Sequence, residues 1–178
     1  MCDTIGVVKN WPESGPKVEQ EIRASAPLEP PRGAYPARVD EKGRLRLPAN
    51  FQAYLESLPE RKVFATSLDM ATARIYPIAV WRANEELYEN DNEIADEATD
   101  VQFIANHLGS DVEMDSQGRI LLSPELRRTL KLENQPVRVE FSRGAIDVYS
   151  EEQYEARMRR ASQALEEKLA KLRKKGMK

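Results

Sequence analysis

The strongest constraint on this chain is that it states one segment twice. Asp40-Glu41-Lys42-Gly43-Arg44-Leu45-Arg46-Leu47 returns as Asp115-Ser116-Gln117-Gly118-Arg119-Ile120-Leu121-Leu122. A repeated D-x-x-G-R core marks a duplicated supersecondary unit, and neither copy alone need bury its apolar face. Function is therefore expected from the pair.

The likeness continues past the turn. Pro48-Ala49-Asn50-Phe51 follows the first copy and Ser123-Pro124-Glu125-Leu126 the second, where Ser123 suits a helix N-cap and Pro124 the first helical position. Two apolar runs then follow in each copy, residues 63–66 and 73–76 before Trp81, and residues 137–141 and 145–149 before Tyr154. Each copy is read as strand, Gly turn, strand, short helix, strand, turn, strand, then an aromatic residue opening a helix.

Alternation across the pleat sends Leu45 and Leu47 to one face and Arg44 and Arg46 to the other. In the second copy Ile120 and Leu122 form the core pair, opposite Arg119 and Leu121. The first copy also carries Arg38 and Lys42 where the second has Glu113 and Gln117, so it is the more basic of the two.

These residues resemble the MraZ family of bacterial transcriptional regulators through D-x-x-G-R-hydrophobic-x-hydrophobic-P-x-x-hydrophobic, present twice over residues 35–160. Ser123 replaces the proline of that pattern, and Gln52 stands where the second copy has Arg127. The resemblance implies a mainly β fold with short helices, in which two SpoVT-AbrB-type units form a pseudo-twofold swapped-hairpin β-barrel. It implies double-stranded DNA as a partner and a homo-oligomer, as a ring. Arg44 and Arg119, with Arg46, Lys42 and Arg38, are the expected DNA-binding residues. Asp40, Gly43, Asp115 and Gly118 are expected to build the turns, because aspartate caps a turn and glycine accepts positive φ. The implied role is regulation, as a repressor, of the division and cell-wall gene cluster through short repeats upstream of its own promoter, where several weak contacts add by multivalency. An AbrB-type antitoxin and a partner-binding scaffold without DNA binding are the alternatives.

The expected organisation is a disordered extension over residues 1–34, repeat 1 over 35–81, an acidic helical segment over 82–109, repeat 2 over 110–153, and a basic amphipathic helix or tail over 154–178. The extension holds Pro12, Pro16, Pro27, Pro30 and Pro31 and shows no period, a composition that buries too little apolar surface to offset ordering entropy. Trp11 is either docked or free there. Between residues 85 and 115 every ionised side chain is acidic, whereas nine cations oppose Glu166 and Glu167 from Arg157 onward. The net charge of -3 therefore hides segregated fields, and a polyanion senses charge within about 8 Å at physiological salt. The acidic stretch suits a solvated helix or a basic surface on a neighbouring subunit. Met158, Ala161, Leu165, Leu169 and Leu172 recur near helical spacing, for packing on the barrel or a neighbour, or for presenting the basic side to DNA or a membrane surface.

Catalytic inventory is thin. His107 is the sole histidine and Cys2 the sole cysteine, which leaves no Cys-His pair, no zinc set and no disulfide, and no G-x-S-x-G or P-loop is present. Residues 91–96 lack the sixth-position glycine of an EF-hand loop. No enzyme, cofactor or metal is expected. Without a signal-peptide core or a membrane span, the expectation is a cytoplasmic, nucleoid-associated protein.

Overall fold

The computed structural model describes residues 27–90 and 95–178. The expectations for residues 1–26, including Trp11 and Cys2, and for residues 91–94 lie outside the described residues. In the first copy β1 (Ala34–Val39), β2 (Arg44–Arg46), α1 (Ala49–Ser57), β3 (Lys62–Thr66), β4 (Ala73–Pro77) and α2 (Ile78–Asn90) follow in order. After α3 (Ala95–Leu108) the pattern returns as β5 (Ser110–Glu113), β6 (Arg119–Leu121), α4 (Pro124–Thr129), β7 (Pro136–Ser142), β8 (Ala145–Ser150) and α5 (Glu151–Ser162), with α6 (Leu165–Lys174) last. Ahead of β1, the Leu28 amide donates to Ser57 Oγ at 2.9 Å, which ties this run to α1.

The strands form one antiparallel sheet in the order β5-β3-β4-β8-β7-β1-β2-β6, and β5 and β6 lie side by side, so the sheet curls into a nearly closed barrel. The hairpins are exchanged. β1 of the first copy pairs with β7 of the second, and β5 of the second pairs with β3 of the first. Interchanging the copies maps the order onto itself, which is the pseudo-twofold. The dyad passes through the centre of β2 against β6, where Leu45 faces Ile120, and through β4 against β8, where Arg74 faces Asp147.

The alternation read in the strands decides what fills the barrel. Leu45, Leu47, Ile120 and Leu122 are all buried, alongside Phe51 and Leu126 from the short helices. Each such side chain contributes about 1.5–3 kcal/mol on burial, and all six belong to one core cluster drawn from both copies. Ser123 caps α4 by accepting from the Leu126 amide at 3.1 Å, with Pro124 opening the helix; Pro48 stands at the equivalent place in α1, where no side chain caps.

The aromatic positions diverge. Trp81 is buried in a second cluster, stacked on Phe64 at 4.4 Å between ring centroids, because α2 and α3 fold over it and bring in Ala105. Tyr154 instead meets Tyr149 edge-on at 6.0 Å under the Arg138 guanidinium. The acidic segment is thus two helices. Ala98, Ala105 and Leu108 face inward, and His107 is exposed.

The carboxy-terminal spacing predicts one amphipathic helix, and the structure has two. Gln163 leaves the helical region and Ala164 takes φ 52°, which separates α5 from α6. Neither helix buries a residue, and Met158, Leu165 and Leu172 are exposed. Among the described residues no helix is long and apolar enough to cross a membrane.

Candidate nucleic-acid interface

Each D-x-x-G-R segment folds as a closed turn centred on its aspartate. Asp40 Oδ1 accepts from the Lys42 and Arg44 amides at 3.0 and 2.9 Å, while Oδ2 accepts Arg44 Nε and Nη2, both at 2.7 Å. The second copy repeats this, with Gln117 and Arg119 amides at 2.9 and 3.0 Å and Arg119 Nε and Nη2 at 2.8 and 2.7 Å from Asp115. Gly43 and Gly118 sit at φ 80° and 72°, where a side chain is disfavoured. Asp40 with Gly43, and Asp115 with Gly118, stand within these two turns.

The hydrogen bonds from Arg44 hold the Asp40 carboxyl well down, from 3.8 to about 2. The Arg119 side chain likewise lowers Asp115. Charge-assisted hydrogen bonds favour the ionised acid. The two arginines therefore have fixed directions, with Nη1 left over on each.

The turns are also locked to each other. The Leu47 amide donates to the Gly118 carbonyl at 3.0 Å, and the Leu122 amide to the Gly43 carbonyl at 3.0 Å. Arg127 on α4 lies over Gly43, so that a Cβ there would overlap its guanidinium, and Gln52 on α1 covers Gly118 in the same manner. The Gln52/Arg127 difference noted in the sequence is thus one pseudo-symmetric position, serving as a lid over the other copy's glycine. Arg127 is the functional-region residue that sequence reasoning missed. The Arg127/Gln52 alignment hinted at it, but only the exchanged hairpins bring it to Gly43.

Strand register assembles the cations. Arg46 is paired with Arg38 across β1 and β2 and with Arg119 across β2 and β6, while Arg44 faces Leu121. Side chains of directly paired residues lie on the same face, so Arg38, Arg46 and Arg119 form a row on the outside of the barrel. Arg38 Nη2 is anchored to Asn134 Oδ1 at 2.8 Å. Among the described residues, the Arg46 guanidinium and the Lys42 ammonium have no hydrogen bond or ion pair. Lys42 stands on the turn itself, beside rather than within the row. Arg119 in this row is already answered by Asp115, so the uncompensated charge rests on Arg46 and on Arg38, whose anchor Asn134 is neutral. Two adjacent like charges repel unless an anion relieves them. In the second copy the corresponding face holds Glu113, Gln117 and the exposed Leu121, with Lys62 paired to Asp111 at 3.3 Å.

The family model MraZ, described as "MraZ protein, putative antitoxin-like", matches residues 109–175. The chain is 38% identical over 101 residues to the transcriptional regulator MraZ of Acidobacterium capsulatum, which covers 57% of this chain and 69% of that protein. It is 35% identical over 126 residues to the transcriptional regulator MraZ of Herpetosiphon aurantiacus, covering 69% and 82%. The chain belongs to the MraZ family.

In this MraZ-family chain the family match falls on the second copy with α5 and α6. The arginine row belongs mostly to the first. Among the described residues no group of three or more His, Cys, Asp or Glu is placed to hold a metal ion.

Proposed function

We propose that this chain is a sequence-specific, double-stranded-DNA-binding transcriptional regulator that presents the Arg38, Arg46 and Arg119 row to the duplex. The observation carrying this reading is the unpartnered Arg46 guanidinium, paired in register with two further arginines on an outer strand face. Neutralising phosphates releases counterions and removes the mutual repulsion of the row. Arg44 and Arg119, oriented by their aspartates, offer their remaining Nη1 to phosphate or to a guanine edge. Lys42 adds charge at the turn.

Family membership and the regulator names of the relatives support a transcriptional role. The finer reading is repression of the division and cell-wall cluster through short repeats upstream of its own gene, in the cytoplasm and at the nucleoid. Assembly as a homo-oligomer, in a ring, is supported by complementary uncovered surfaces. Exposed Leu87 and Phe103 lie on acidic α2 and α3, and exposed Met158, Leu165 and Leu172 lie on α5 and α6, whose last turns are basic. Repeated contacts would then raise affinity without new chemistry.

Fluorescence anisotropy on DNA from upstream of its own gene, against shuffled DNA over a salt series, tests this. Preference for the upstream DNA with a steep salt slope is expected. Equal, weak binding to both would end the regulator reading in favour of an antitoxin or scaffold.

A further inference from the structure

The pole of the barrel opposite the arginine row is where β4 meets β8, with β3 and β5 between the poles on one side and β7 and β1 on the other. Here the pseudo-dyad brings Arg74 against Asp147, which only a diverged pair of repeats can place there. A symmetric pair would set like against like. Arg74 Nε lies 3.3 Å from Asp147 Oδ1, and Arg74 Nη2 lies 3.9 Å from Asp69, so this cation is answered by two carboxylates. Asp147 is nearly buried, and Asp69 is fixed by the Ala71 and Thr72 amides at 3.0 and 2.8 Å.

Above this base opens a cleft of about 360 Å³. Its rim carries Arg143 from the β7–β8 turn and Arg157 and Arg160 from α5. Arg143 is held at φ 51° beside Gly144 at φ 82°, and Arg157 and Arg160 are one helical turn apart on one face. Among the described residues none of these three guanidinium groups has a hydrogen bond or ion pair. Three unpaired cations, set against the single surplus negative charge of the Asp69, Arg74 and Asp147 group, leave the cleft with a charge of +2. Arginine forks match the oxygens of a phosphoryl group. The volume is within the roughly 300–1,000 Å³ range of small-molecule sites, larger than phosphate alone requires. Thr72, Ser142 and Gln153 supply neutral hydrogen-bonding groups. The non-polar lining is Ala71 and the Tyr149 ring, which is only 5% exposed and already packed edge-on against Tyr154, so little surface is left on which a base could stack.

We propose that this cleft binds a small phosphorylated, hydroxyl-rich compound of the sugar-phosphate class. The phosphoryl group is held by Arg143, Arg157 and Arg160, and the hydroxyls by the polar wall. The site is separate from the DNA-facing row and does not depend on that reading.

Isothermal titration calorimetry of the whole chain at fixed ionic strength tests it, with glucose 6-phosphate, AMP, inorganic phosphate, sulfate and glucose as probes. Saturable binding of glucose 6-phosphate is expected, at least about tenfold tighter than any other probe. It should persist in Arg46→Ala and weaken about tenfold or more in the exposed-site variants Arg157→Ala/Arg160→Ala and Arg143→Ala. Equal binding of sulfate, phosphate and glucose 6-phosphate would reduce the cleft to a general anion site and overturn the proposal. Tighter binding of AMP would overturn the ligand class. No ester binding, with the Arg157/Arg160 variant losing DNA affinity instead, would assign these arginines to the nucleic-acid backbone and overturn it as well.

Discussion

Around Asp40 and around Asp115 the chain builds the same turn with the same hydrogen bonds, yet the strand faces beside the two turns carry different chemistry. The first has Arg38, Lys42 and Arg46; the second has Glu113, Gln117 and Leu121 at matching positions. Backbone-directed contacts are retained where the fold requires them, since both aspartates satisfy amides of their own turns and both glycines take positive φ. Outward positions are under no such requirement. The difference teaches that duplication within one chain lets one half specialise in charge while the other preserves geometry, an option closed to a dimer of identical units.

The sharpest challenge to this shared-scaffold view lies on the dyad. Leu45→Ala and Ile120→Ala should each lose about 2–5 kcal/mol of stability by urea denaturation, because both residues are fully buried and face each other. A large loss in one and almost none in the other would mean that the copies do not share a core.

DNA affinity probes the charge half of the comparison. Arg46→Ala should cost about 1–3 kcal/mol of binding if it reads a base, or lower the salt slope by about one if it contacts phosphate. Leu121→Arg should move affinity the other way by restoring the missing cation beside Arg44. If both variants bind DNA as the parent does, the asymmetry has no bearing on DNA. Alanine at Arg44 or Arg119 is less discriminating, since each arginine also braces the aspartate of its turn. The turn geometry thus gives both arginines a structural role beside any contact with DNA.

Gly43→Ala and Gly118→Ala should each destabilise by about 1–2 kcal/mol from positive φ alone, read as a lowered Tm. Gly43→Ala should be the worse of the two, because it must displace the largely buried Arg127 rather than the Gln52 amide.

The smallest effect is acid sensitivity. A carboxylate whose folded-state pKa is depressed stabilises the fold above its unfolded value and loses that contribution as pH falls through the folded one. For Asp40 that window runs from 3.8 down to about 2, and Asp115 shifts in the same direction. Asp40→Asn should therefore flatten stability against pH across this interval in an acid titration followed by circular dichroism. An unchanged acid limb would separate the turn from the barrel's stability.

Much of this was legible in one dimension. A period of two placed Leu45, Leu47, Ile120 and Leu122 inside and the arginines outside, and Ser123-Pro124 announced a helix start. The carboxy-terminal stripe misled on continuity, because spacing across residues 158–172 does not register a left-handed residue at Ala164. Arg127 over Gly43 and Arg74 against Asp147 were invisible for another reason: each joins residues from different copies, more than 70 positions apart.

By itself the sequence determined the duplication, the two turns, the inward and outward face of each strand and the segregation of charge, since all of these rest on local stereochemistry and short periods. Only the tertiary structure decided which hairpin pairs with which strand, and hence that Arg38, Arg46 and Arg119 form one row while three other arginines gather at the opposite pole. The physical reason is that strand exchange is chosen by burial of a core neither copy can complete alone. Register across that exchange, not proximity along the chain, sets which charges become neighbours.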